Sequence, residues 1–120
     1  MKFLTRVFVA FLLIVSVAFA EQGSNSSQLI ASIQAGQALG FGSPAVVITF
    51  ASTNSGTLPS CVTASGNKSF ALDPTTAPGH EAIALAEAAF LQGKTVNVGC
   101  AGQCTIYNGV EDLGFIYTTG

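Results

Sequence analysis

The stretch Ser69–Val98, SFALDPTTAPGHEAIALAEAAFLQGKTVNV, decides the fold class. It opens on a short β-type run, Phe70-Ala71-Leu72, which Asp73-Pro74 breaks. Thr76 then has the chemistry of a helix N-cap, and Pro78 is tolerated in a first turn where its missing donor is not needed. The spacing predicts a helix over 79–92, about 21 Å long at 1.5 Å per residue. Glu81 suits the positive end of the helix dipole and Lys94 the negative end. Gly93 supplies the left-handed stop. Ile83, Ala86 and Phe90, with Ala82, Leu85 and Ala89 alongside, form a broad face that packs on a sheet. The opposite face is small residues with Glu81 and Glu87, open to close approach by another helix or simply the product of good helix propensity. Val96 and Val98 then alternate with Thr95 and Asn97, the period of a strand.

Outward from this segment the chain reads as strands. Ala45–Phe50 is a continuous β-branched and aromatic run between Ser43-Pro44 and a Ser/Thr/Asn/Gly cluster, the pattern of a buried central strand. Cys61–Thr63 and Lys68–Leu72 read as two strands joined by a turn at 65–67. Cys104–Tyr107 reads as a strand leading into Asn108-Gly109, a type I′ hairpin signal. Val110–Thr118 is its return strand, with Leu113, Phe115 and Tyr117 on one side. Leu29–Phe41 is apolar-poor and Gly-rich, either a short helical turn or a strand entering a bend. Strands, one helix, strands: the order predicts an α+β domain, a small OB-like antiparallel barrel or curled sheet around one central helix, spanning 29–120.

The first twenty residues read as a signal peptide. Lys2 and Arg6 precede an apolar run and an Ala18-Phe19-Ala20 cleavage signal, and the run is short of a bilayer span of about 20 apolar residues. Residues 21–28, EQGSNSSQ, are polar throughout and read as a flexible mature terminus. The expected compartment is the periplasm or the exterior. Loss of Lys2 and Arg6 leaves Lys68 and Lys94 against Glu21, Asp73, Glu81, Glu87, Glu111 and Asp112, a net charge of −4. With no arginine left, nucleic acid and anionic membranes are disfavoured as partners.

Three cysteines in an exported chain predict one disulfide and one free thiol. Cys61–Cys104 is favoured because it closes a loop of over forty residues, stabilising by about 4 kcal/mol. Cys100–Cys104 is the alternative, with little entropic gain. Cys100 is then either a buried apolar residue or an intermolecular link.

From Phe70 to Gly79, through Ala82–Ala89, Gly93-Lys94-Thr95-Val96 and Gly102-Gln103-Cys104 to the acidic pair Glu111-Asp112, the chain resembles a group of small exported bacterial proteins. Their organisation is similar to the B subunits of pertussis- and subtilase-type AB5 toxins. The resemblance covers about 61–117. It implies an OB-like barrel, glycan binding and a homo-oligomer, by likeness a ring-shaped pentamer whose helix lines the pore. Cys100 and His80 depart from the group's pattern, at positions where a small or polar residue and a lysine are usual. The resemblance carries over no sugar-binding residue.

No catalytic constellation stands out, and none is expected. His80 is the only histidine, and Cys100 and Cys104 lack partners at zinc-site spacing, so neither metal nor cofactor is implied. Gly99–Gly102 has no Lys-Ser/Thr after it and is not a phosphate loop. Glu111 and Asp112 could form an acid pair for a small hydrolase, but a solvated hairpin end is the simpler expectation. The expected function is a secreted, non-enzymatic binding module, a candidate homo-oligomer, with a glycan or a protein as ligand. Tyr107, Asn108 and Tyr117 are the available ligand-binding set, an aromatic face beside neutral polar groups. The alternative is a secreted inhibitor or envelope-associated structural protein that contacts a protein partner through a loop such as 52–60.

Overall fold

The computed structural model describes residues 23–37 and 43–118. The expected signal peptide, Glu21-Gln22, residues 38–42, on which the expected Gly-rich bend falls, and residues 119–120 lie outside the described residues. Seven strands and one helix follow in the order β1 (Gly23–Gln28), β2 (Ile30–Gln37), β3 (Pro44–Phe50), β4 (Ser55–Gly56), β5 (Ser69–Leu72), α1 (Ala77–Gln92), β6 (Val96–Cys100) and β7 (Glu111–Thr118). They form one sheet in the order β2-β3-β5-β7-β6-β1-β4. Only the β5–β7 pair is parallel. β1 and β2 are separated by Leu29 alone, so one bent N-terminal strand serves both flanks of the sheet and curls it round on itself. This is the α+β, OB-like organisation expected, with the helix inserted between the third and fourth main strands.

The bend has a local cause. Ser27 adopts φ 51, in the left-handed region, and its N–H donates to Asn97 Oδ1 at 2.9 Å. The β1–β6 register slips across the same point, between Asn25 and Gln28. Of the stretch 21–28, expected to be flexible, Gly23–Gln28 therefore contributes a strand and extends the domain N-terminally. Its polar residues are held by side chains rather than by apolar burial: Asn25 Nδ2 donates to Asn54 Oδ1 at 3.3 Å, and Ser24 and Ser55 hydroxyls meet at 3.2 Å.

The core lies between the curled sheet and α1. Val46, Ile48 and Phe50 on β3, Phe70 and Leu72 on β5, Val96, Val98 and Cys100 on β6 and Ala86 and Ala89 on α1 are all buried in one cluster. Phe50 and Phe70 meet edge to face, with centroids 5.9 Å apart. Val47, on the other face of β3, joins Ala71 and Val110 under Ile106 and Tyr107. Burial on both faces explains why β3 reads as a continuous apolar run.

The helix starts one turn-fraction earlier than expected, at Ala77. Thr76 caps it, its hydroxyl accepting from Gly79 N at 3.1 Å. At the far end Gly93 (φ 63) donates to Phe90 O and Lys94 to Ala89 O, a Schellman stop. Neither terminal turn carries the expected charge, since Glu81 and Lys94 fall just outside them. Ala86 and Ala89 face inward with Ala82 and Ile83 partly buried beside them, while Ala84 and Ala88 are exposed. Phe90, expected in the core, is exposed, and Ala89 beside it is buried instead.

Three further expectations change. Cys61–Thr63 and Cys104–Tyr107 are not strands. Both lie in irregular loops, and only Tyr107 bridges to Val110. Asn108-Gly109 makes the turn, but only Gly109 has positive φ (81), so it is not type I′, which needs both. On β7, the register with β6 slips between Gly99 and Cys100, where Gly114 is the extra residue. Leu113 and Ile116 therefore pack on the core, while Phe115 and Tyr117 turn outward. A Cβ at Gly114 would stand 2.9 Å from the Cys100 carbonyl carbon and 3.2 Å from Gly99 O. Gly114→Val is expected to destabilise the protein by about 2 kcal/mol, measured by thermal melting; an unchanged midpoint would mean the bulge tolerates a side chain.

Candidate functional site

The expected ligand set is not assembled. Tyr107 is half-buried against Val47, Ala71 and Val110, and Asn108 is exposed in the adjoining turn. Tyr107 bridges Val110, just before β7 begins, whereas Tyr117 lies near its end, about 23 Å farther at 3.3 Å per residue. Only Tyr117 is placed on an open face. His80 and Glu81 are exposed on the helix. Among the described residues, no group of three His, Cys, Asp or Glu side chains could hold a metal ion.

The acidic pair is buried rather than solvated. Glu111 is 0 % exposed, and its carboxylate accepts from Gly23 N at 3.1 and 3.3 Å and from Gly102 N at 3.0 Å. Burial raises its pKa against the pull of these N–H groups and of the Cys100 thiol. The Cys100 thiol is also raised, first by burial and then by Glu111, so it stays protonated. Asp112 accepts from Thr105 N at 2.8 Å, from Ile106 N at 3.1 Å and from the Thr105 hydroxyl. Both carboxylates are committed to backbone, Glu111 to the N-terminal strand and Asp112 to the loop that carries Cys104. The 52–60 loop is likewise partly tied down: β4 pairs with β1, and Asn54 Nδ2 donates to Ser69 O at 3.2 Å.

Two surfaces remain, and both border β7. On the outer face, Phe115 and Tyr117 stack with centroids 6.1 Å apart and planes 17° from parallel. They are 57 % and 51 % exposed. The Phe115 ring lies against Gly99, where any Cβ would come within 2.3 Å of it. Tyr117 stands opposite Asn97, which is 7 % exposed. Asn97 Nδ2 is the one buried side-chain polar atom among the described residues without a hydrogen-bond partner. Ser24 and Ser27 of β1 continue the two rows, and β1, β6 and residues 113–118 carry no charged side chain. The result is a neutral band with an aromatic platform.

The second surface is a groove between α1 and β7. Leu72, Ala82 and Leu113 line a section of about 330 Å³ with Asp73 and Thr76 beside it. It continues past Leu85 and Glu81 into a section of about 430 Å³, with Phe115 lining both. The Thr75 hydroxyl and N–H hold Asp73 below the ordinary carboxylate value, so this end of the groove is anionic.

No family model, curated protein or solved structure matches the chain. The functional reading therefore rests on these surfaces. The described helix is not long and apolar enough to cross a membrane. Phe115, Gly99 and Asn97 escape a reading of the sequence. Their signal is the spacing Phe115-x-Tyr117 next to Gly114, legible only once the bulge is recognised.

Proposed function

We propose that the mature chain is an exported, non-enzymatic binding module whose ligand is a neutral glycan held on the outer face of β6 and β7. The carrying observation is the Phe115–Tyr117 pair, half-exposed and nearly parallel in a band without charges. The apolar face of a sugar ring stacks on such a platform, while hydroxyls need neutral partners such as those of Ser24 and Tyr117. A charged ligand would find no counter-ion there. The Cys61–Cys104 disulfide supports an oxidising compartment, in keeping with the leader-like N-terminus. The test is a glycan array probed with disulfide-intact protein. Binding of a neutral glycan is expected, and Tyr117→Ala should weaken it ~10-fold while shifting stability by less than about 1 kcal/mol. Folded protein that binds no glycan on the array would remove this reading. A protein partner is the second reading, and the α1–β7 groove favours it.

A further inference from the structure

β7 has a free edge. It pairs with β5 only at Glu111 and Asp112, where the parallel ladder ends as β5 gives way to Asp73-Pro74. From Leu113 to Thr118 its other side meets β6, and among the described residues no strand covers the side toward α1. In an antiparallel pair, alternate residues point their N–H and C=O away from the partner strand. Part of the Leu113–Thr118 backbone therefore faces the groove without a ladder. Unpaired strand edges are templates for an added strand, and proteins that do not use them usually block them with charge, proline or a covering element. Residues 113–118 carry neither charge nor proline, and α1, the element beside this edge, leaves the groove between them.

We propose that this edge and groove receive an extended peptide segment of another protein, bearing lysine or arginine, which adds to the sheet as a further strand. The main-chain groups of Leu113–Thr118 supply affinity. Leu72, Ala82 and Leu85 take alternate apolar side chains, and Asp73 and Glu81 take the cations. Charge sets this occupant apart from a second copy of the chain. The mature sequence has two lysines against six carboxylates, so another copy brings the wrong sign. Shape argues the same way: α1 packs beside the edge, and a folded copy would carry its own barrel into it. The site borders the aromatic band at Phe115, which lines the groove, whereas Tyr117 does not.

The test is selection of a random peptide library on the disulfide-intact mature chain, followed by titration of the best synthetic peptide. Enriched sequences should alternate apolar residues with lysine or arginine. Binding should protect amides within 113–118 from hydrogen exchange. N-methylation of alternate peptide amides should abolish it in one phase and spare it in the other, a signature that side-chain contact alone cannot give. Leu85→Arg, which fills the groove and offsets part of its negative charge, should weaken the peptide ~10-fold. Leu91→Arg, on a helix position 83 % exposed, should leave it unchanged. Failure to enrich any peptide, equal loss in both N-methylation phases, or protection of 113–118 by self-association without peptide would each overturn the proposal. Asp73→Asn, which removes a groove carboxylate and adds no bulk beside Phe115, should weaken the peptide and leave glycan binding at the parent's level, so the two readings fail separately.

Discussion

Glu111→Ala is expected to lower folding stability by about 3 kcal/mol or more. The side chain is fully buried and joins the first described residue to the last strand, accepting from Gly23 N and Gly102 N. Alanine leaves these two N–H groups without an acceptor, at about 1–3 kcal/mol each when buried, and opens a cavity between Leu58, Gly23 and Cys100. Glu111→Gln keeps the shape and one acceptor, so it should fall between the two. The sign of the pH effect is opposite to that of a salt-bridged carboxylate. Burial raises the folded pKa above the ordinary 4.5, so between the two values the folded state holds a proton that the unfolded state has lost. This contribution is complete below the unfolded value and disappears as pH rises through the folded one. Urea denaturation from about pH 4 to about pH 7 should show a slope from this group that Glu111→Gln removes. A Glu111→Ala protein as stable as its parent would show that β1 is held by other contacts.

What the sequence discloses follows the range of the forces involved. Thr76, Pro78 and Gly93 bound the helix through contacts within a few residues, so its limits were legible to within two positions. β3 was legible because burial on both faces leaves a continuous apolar run, and the disulfide because loop entropy distinguishes the pairings. β1 was not. GSNSSQ has no apolar period, and its strand is fixed by Asn54, Ser55, Asn97 and Glu111, all remote in sequence. The burial of Glu111 and Asp112 was hidden for the same reason, since acidic residues beside a tight turn are ordinarily solvated. The outward turn of Phe115 and Tyr117 depends on one inserted glycine, and a slip of one residue exchanges the faces of a strand. That slip also creates both surfaces. With Leu113 and Ile116 turned to the core, β7 can present its aromatic pair on one side of the sheet and a bare edge to the helix.

The Cys61→Ser, Cys104→Ser double variant should lose about 4 kcal/mol, the loop-closure term for a sequence separation of 43 residues. The structure gives a second reason for a large effect. The bridged segments are both irregular: Cys61 lies between β4 and β5, and Cys104 between β6 and β7. Few other bonds join them, chiefly Thr63 N to Gly109 O at 3.0 Å. Ile106 and Tyr107, which cover the Val47–Ala71–Val110 cluster, sit within the loop that the bridge restrains. Reduction should therefore loosen one small apolar cluster while sparing the main core, which contains no bridged cysteine. Hydrogen exchange on the double variant is expected to rise in 101–110 before it rises in β3 or α1. The remaining thiol, Cys100, should resist alkylation in the folded protein and react on unfolding, because it is buried and protonated. A double variant within about 1 kcal/mol of the parent, with unchanged exchange in 101–110, would mean that the hydrogen bonds of Asp112 to Thr105 and Ile106 and of Glu111 to Gly102 fix this loop without the bridge.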